Sequence, residues 1–298
     1  MNRWTRLRKE LLGRAFVTLA GVFIILLTLS IGAFLFYRGS ATFFTDKHSV
    51  AEFLFSAVWR PAEQGSGGMV GAAIFIIGSI VISGLALLIA LPFSVAAAVF
   101  MTEISPSLGK RFLQPAIEIF VGIPSVVYGW VGLTVLVPWI ARTFSRPYGY
   151  SVLAGAIVLA VMIFPTITSV AADALGSVPC EYREASYGLG STRWQCICRV
   201  EIRAAAPGIL TGVVLGLARA FGEALAVAMV IGKMQAFPKS VLSPTTNLTA
   251  EITADMGNTT SGSEWNNALW TMALFLLIMS FLFILLIRAI GKMGAEKE

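Results

Sequence analysis

Long apolar runs separated by short polar stretches alternate along the whole chain. The first runs from about Ala15 to Phe36, long enough as a helix rising 1.5 Å per residue to cross a bilayer core of about 30 Å. A basic segment precedes it, as in a signal peptide. Yet the run is too long for one and Tyr37-Arg38 offers no small-residue cleavage site, so it reads as a retained first helix. A polar excursion over 37–68 follows, ending in a flexible Gln64-Gly65-Ser66-Gly67-Gly68 approach. The second span, about Met69 to Met101, exceeds one straight crossing and carries Pro92, which predicts a tilt or kink near Leu91-Pro92. The third, about Phe112 to Ile140, holds Glu118 near one end, Gly122-Ile123-Pro124-Ser125 in its middle, and two further prolines, Pro115 and Pro138. Such a helix is irregular, and lipid tolerates that only where neighbours or water satisfy the freed backbone groups. The fourth covers about Ser151 to Ala172 with Pro165, the fifth Pro207 to Gly232, and the sixth Asn267 to Ile290, after a polar stretch over 233–266. The pattern predicts an all-α polytopic membrane protein of six transmembrane helices, with a core over 69–290.

Composition agrees: 57% of the 298 residues are hydrophobic and only 13% charged, too apolar for an ordinary soluble domain. The net charge of +6 matters through its placement. Fourteen of the 22 Lys and Arg lie in the N-terminal segment, the 101–112 turn, the 173–206 segment and the C-terminal end from Arg288 on, six in the three opposite loops (the third at 141–150), and Arg219 and Lys233 in the fifth span and at its end. That bias is membrane topology, not a nucleic-acid face. It predicts cytoplasmic segments at 1–14, 173–206 and 291–298 and periplasmic loops at 37–68 and 233–266. The three cysteines, Cys180, Cys196 and Cys198, fall on the predicted cytoplasmic side and are expected reduced. The one histidine, His48, is expected to be a solvated loop residue, so neither a metal site nor a catalytic constellation is expected. No Gly-x-x-x-x-Gly-Lys loop exists, because Ile104, Val227 and Leu286 stand five before the glycines of the three Gly-Lys pairs. The chain therefore binds no ATP in that manner. Energised transport would draw on ATP and Mg held by another polypeptide.

The fifth span carries Gly208, Gly212, Gly216, Ala220, Ala224, Ala228 and Gly232 at every fourth position, a ridge that lets another helix approach closely. Packing alone accounts for such a ridge; lining a path is the functional addition. Arg219 and Glu223, four apart, are expected on one helix face. They read either as a mutual salt bridge that offsets the cost of charge in the bilayer, or as an anion's contact or gate restrained by its glutamate.

Between the fourth and fifth spans lies Glu184-Ala185-Ser186, then Gly190, then Val200-x-Ile202. This resembles the EAA signature of bacterial ABC importer permeases. The resemblance implies a short helix-turn-helix that docks in a cleft of a cytoplasmic ATPase, with Glu184, Ala185, Ser186 and Gly190 as the coupling residues. Gly122 to Gly129, Arg219 to Val227, and the Leu242-Ser243-Pro244 and Leu248-Thr249-Ala250 stretches are similar to phosphate-importer permeases of the PstC family, from about Phe43 to the last span. That likeness implies four partners or kinds of partner: membrane lipid, a homologous PstA-like permease, a PstB-like ATPase dimer and a periplasmic phosphate-binding protein. It places Arg219 and Glu223 on the translocation path or gate. Two positions depart from the family pattern: Arg203 stands where a proline is usual, with Pro207 four residues on, and Lys233 where asparagine is common. A permease for sulfate, molybdate or phosphonate stays open, as do a secondary transporter or channel and a membrane scaffold. Paired broken helices would favour the transporter, and none is evident in the sequence.

Overall fold

The computed structural model describes the backbone of residues 3–63 and 67–295 and the side chains of 12–63 and 67–289. The expected N-terminal segment 1–14, the Gln64-Gly65-Ser66 part of the flexible approach and the 291–298 tail lie wholly or partly outside these residues. Helix α1 (Arg3–Gly39) leads into two short helices, α2 (Ala41–Phe44) and α3 (Val50–Phe55). A two-residue antiparallel hairpin follows, β1 (Trp59–Arg60) with β2 (Met69–Val70), Trp59 opposite Val70. Then come α4 (Ala73–Val99), a π turn over Phe100–Ile104, α5 (Pro106–Leu108), and a π turn over Gly109–Leu113. The next group is α6 (Gln114–Gly122), α7 (Ser125–Val131), a π turn over Gly132–Leu136 and α8 (Val137–Thr143). The chain continues through α9 (Val152–Gly176), α10 (Cys180–Gly188), α11 (Arg193–Cys196) and a π turn over Ile197–Glu201. It ends with α12 (Ile202–Gly222), α13 (Leu225–Val230), α14 (Leu248–Asp255) and α15 (Glu264–Ala295).

Among the described residues, six helical stretches are long and apolar enough to span a membrane: residues 12–44, 73–104, 125–143, 152–176, 193–222 and 264–289. Two differ from the sequence expectation. The third does not start at Phe112. Ile123 and Pro124 are extended, with ψ of 127° and 141°, because proline disfavours helical backbone in the residue before it. The chain therefore breaks there, α6 stands apart, and the crossing begins at Ser125. The fifth starts earlier and ends sooner than expected. A capping box, Thr192 accepting from the Gln195 amide and the Gln195 side chain from the Thr192 amide, opens a helix at Arg193. That helix runs on through the π turn with Pro207 inside it, and stops at Gly222.

Helix α9 is the centre of the bundle: 67% of its apolar window is buried, against none of that of α1, which packs on α15 at the outside. Helices α4 and α12 pack on α9. The small-residue ridge of α12 makes its contact here. A side chain at Gly208 would run into the Ala174 Cβ, one at Gly212 would meet Val170 at 3.2 Å, and one at Gly216 would meet Ile167 at 2.7 Å. The ridge ends where the helix ends, for Ala224 and Ala228 are only half-buried. Across the bundle, Ser94 on α4 donates to the Phe164 carbonyl of α9 at 3.2 Å, beside Pro165. One core cluster joins α4, α9, α12 and α13 around Ile82, Leu159, Ile163 and Val227, and a smaller one near α10 gathers Val99, Leu175, Ile197 and Ile209.

The stretch 233–255 is bound to the start of α4. Ser79 Oγ accepts from the Leu248 amide at 3.1 Å, and the Thr246 carbonyl lies against the bare Cα of Gly78. Gly78→Ala should therefore lower the melting temperature in detergent by the equivalent of about 1–3 kcal/mol of overpacking. Gly84→Ala on the same helix, where an added Cβ meets nothing within 4 Å, should not.

Candidate functional site

The pair expected on one helix face is not one. Helix α12 ends at Gly222, and Glu223 is extended, with φ −77° and ψ 119°. Its carboxylate turns to the next helix and accepts from the Ala226 amide at 3.0 Å, supplying an acceptor that the first turn of α13 lacks. Among the described residues no salt bridge joins Arg219 to Glu223. The half-buried Arg219 instead donates from Nη1 to Thr166 Oγ1 on α9 at 3.3 Å. A helix-terminating glycine followed by a carboxylate that caps the next helix overrides the four-residue spacing.

A second break lies beside this one. Helices α7 and α13 each begin at a break and run together. A side chain at Gly129 would meet the Ala226 Cα at 2.8 Å, and one at Gly132 would meet Val230 at 2.9 Å. Tyr128 Oη bridges the break between α6 and α7 by donating to the Phe120 carbonyl at 2.7 Å. Paired broken helices, not evident in the sequence, are thus present. On the α6 side, Glu118 is exposed and accepts from Gln114 at 3.2 Å, at the rim of a polar recess of about 220 Å³ with Lys110 and Asp173.

Helix α14 braces the break between α12 and α13. Thr249 Oγ1 donates to the Glu223 carbonyl at 2.8 Å, and Asn247 caps the helix by accepting from the Ala250 amide. On the same helix Glu251 is 6% exposed and accepts from Gln235 Nε2 at 2.7 Å. Burial, then the neighbouring Asp255, push its pKa up to about 7. Gly232 and Lys233 hold left-handed backbone, φ 94° and 51°, and a side chain at Gly232 would meet Pro244 at 2.8 Å. That turn requires a glycine first.

The 173–206 segment forms a helix-turn-helix. Glu184 and Ala185 on α10 face solvent, Ser186 is buried with its hydroxyl 2.5 Å from that of Ser191, and Gly190 takes φ 81° at the turn. Large apolar groups are exposed around it: Leu189 is 90% exposed, and Tyr182, Tyr187 and Trp194 about half or more. Of the cysteines, Cys180 is exposed, Cys196 buried and Cys198 between.

Two polar clusters were not legible beforehand. His48 is not solvated: its side chain is 9% exposed, with Nε2 3.1 Å from Glu264 and Nδ1 3.3 Å from Glu52. Glu264 also accepts from the Gly67 and Gly68 amides, tying the start of α15 to the hairpin. Second, Arg183 reaches Glu103 at 2.6 Å and Glu201 at 2.8 Å. The partners are distant in sequence, and only the fold brings them together.

Comparison with known proteins assigns this architecture. Residues 90–293 match the family described as "Binding-protein-dependent transport system inner membrane component". The chain is 52% identical to a "Probable ABC transporter permease protein YqgH" of Bacillus subtilis, over 98% of this chain and 94% of the relative. It is 34% identical to the phosphate transport system permease protein PstC of Mesorhizobium japonicum, over 79% of this chain and 76% of that one. It is 33% identical to the PstC of Pasteurella multocida, over 97% and 93%. The fold is similar to that of a chain of a bacterial alginate ABC transporter, with TM-score 0.63 and 16% identity over 98% and 99% of the two chains. It is also similar to a chain of the MetNI methionine ABC transporter, with TM-score 0.54 and 20% identity over 73% and 91%. The chain belongs to the family of binding-protein-dependent transport system inner membrane components, the permease subunits of ABC importers, and is a multi-pass inner membrane protein.

The raised pKa of Glu251 has a thermodynamic sign. The folded state binds this proton more tightly than the unfolded state, whose carboxyl titrates near 4.5. Stability therefore falls as pH rises from about 4.5 to about 7, and is level above that. Glu251→Gln should remove this slope, so that melting temperatures of variant and parent diverge between pH 5 and 7. Parallel curves across that range would contradict it.

Proposed function

We propose that this permease passes inorganic phosphate into the cell in an ATP-driven importer, with both termini and the α10–α11 loop in the cytoplasm. The observation that carries the reading is Arg219. It sits beside two helix breaks, within a membrane span, and its one side-chain partner among the described residues is the neutral Thr166 hydroxyl. Its remaining guanidinium donors suit an oxyanion, and a contact this sparse releases its ligand as readily as it binds it. Glu223, engaged at the α13 amide, shapes the path by holding the break, not by pairing with Arg219. Relatives that bear the phosphate permease name support the substrate. The YqgH name specifies none, which leaves another oxyanion as the second reading.

The coupling surface in this proposal is α10 and its turn. Glu184 and Ala185 would meet the ATPase, Ser186 would hold the loop's shape through Ser191, and Gly190 would make the turn. The exposed Leu189, Tyr187 and Trp194 give that partner apolar area to cover. The chain would do no chemistry of its own. ATP and Mg would be bound by a PstB-like ATPase dimer, a PstA-like permease would complete the pore, and a periplasmic phosphate-binding protein would deliver substrate.

Labelled phosphate uptake in cells carrying Arg219→Gln tests the reading. Uptake should fall by about tenfold or more, the scale of losing a charge-assisted contact, while insertion and ATPase copurification stay normal. Arg219→Lys should recover only part, since an ammonium lacks the planar fork. Unchanged uptake in Arg219→Gln would remove Arg219 from the path, and sulfate or molybdate competing as well as phosphate would move the assignment to another oxyanion.

A further inference from the structure

Helix α10 is held by charge, and the holder is not the residue that faces outward. Glu184 points to solvent, whereas Arg183, next to it, turns inward between two carboxylates from different helices. Glu103, in the π turn that ends α4, lies 2.6 Å from Arg183 Nη2, and Glu201, in the π turn that leads into α12, lies 2.8 Å from Arg183 Nε. Glu201 is 1% exposed; neither its second oxygen nor Arg183 Nε makes a hydrogen bond, so this pair is held by charge at short range, and Cys196 adds a thiol contact at 3.7 Å. From α11, Arg193 donates to the backbone carbonyls of Glu103 and Ile104. Both helices of the loop are thus fastened to the end of α4, and α10 to the root of α12 as well.

These two roots lead to the candidate path. Helix α12 is continuous from Ile202 to Gly222, with Pro207 inside it, so Arg219 lies on the same helix roughly 27 Å from Glu201 at 1.5 Å per residue. Helix α4 carries Gly78 and Ser79, against which the 246–248 stretch is seated. A helix that docks on a motor must pass its displacement to the rest of the bundle. An apolar contact could slide, but a buried carboxylate that leaves its arginine is stranded without solvent. Movement of α10 therefore carries the ends of α4 and α12 with it.

We propose that Arg183 is the positioning residue that transmits movement of α10 to α4 and α12, acting through Glu103 and Glu201. This rests on the importer reading above. The test uses the whole complex, permease pair with ATPase, and a substrate-independent reporter. Gly222→Cys places a thiol at the end of α12, where an added Cβ meets nothing within 4 Å. Its labelling by a maleimide is compared without nucleotide and with ATP and vanadate, above the background of the native cysteines. The parent reporter should change its labelling rate between the two states. R183Q should abolish that change while ATPase copurification and ATP hydrolysis persist, and R183K should restore it. Should R183Q fail to insert, E103Q, which leaves the Glu201 pair, should weaken the change. A nucleotide response in R183Q or E103Q equal to the parent's would overturn the proposal. A parent reporter blind to nucleotide would overturn the importer reading itself, and this inference with it.

Discussion

The close approach of α12 to α9 is the constraint on which the rest of the bundle rests. In lipid, apolar side chains gain nothing by leaving one apolar surface for another, so helices associate through dispersion contacts and the absence of side chains in the way. Gly208, Gly212 and Gly216 supply that absence on successive turns, against Ala174, Val170 and Ile167. The contact brings Arg219, three residues beyond Gly216, to Thr166 on the facing helix. It also leaves α13 to pack with α7, since α12 is already committed to α9 when it breaks.

The break itself is affordable because its polar groups are nearly all claimed. The Glu223 carboxylate meets the Ala226 amide, and the Glu223 carbonyl takes the Thr249 hydroxyl. Ile231 ends the second half-helix by accepting from the Thr245 amide at 3.2 Å, and Met234 returns a bond to the Thr245 carbonyl at 3.1 Å. An extended backbone at membrane depth without these partners would cost several kcal/mol per orphaned group. The 233–255 stretch, a polar excursion in sequence, is in structural terms the brace of the broken helix, and it is itself seated on Gly78 and Ser79 of α4.

What the sequence made legible follows from which interactions are local. Apolar length gave the six spans, and the every-fourth-residue glycines gave the packed face of α12, because both depend only on helix geometry. Pro124 marked an irregular third span, although not that α6 would stand apart from it. Arg219 and Glu223 do not share the helix face that their spacing predicts, for a definite reason. The i, i+4 rule presumes a continuous helix, and Gly222 with a carboxylate able to cap Ala226 ends this one first. A glycine followed directly by an acidic residue inside an apolar run is the signal that was available. His48–Glu52 is an i, i+4 pair within reach of a local rule, but the contacts of His48 with Glu264 and of Arg183 with Glu103, 216 and 80 residues away, are not.

The two half-buried guanidinium sites differ in how far the protein satisfies them. Arg183 sits between two carboxylates, and its charge is neutralised by fixed groups of the protein. Such a site is rigid and has little left to offer a ligand. Arg219 has one neutral hydroxyl at 3.3 Å, although a charge at this depth costs a few kcal/mol and a carboxylate stands only four residues on. The fold spends that carboxylate on the backbone of α13 instead of on the arginine. A bundle built for stability alone would have paired them. In the proposed function the missing partner of this guanidinium is the substrate oxyanion, and the continuous helix α12 joins Arg219 to the Arg183 cluster at its other end.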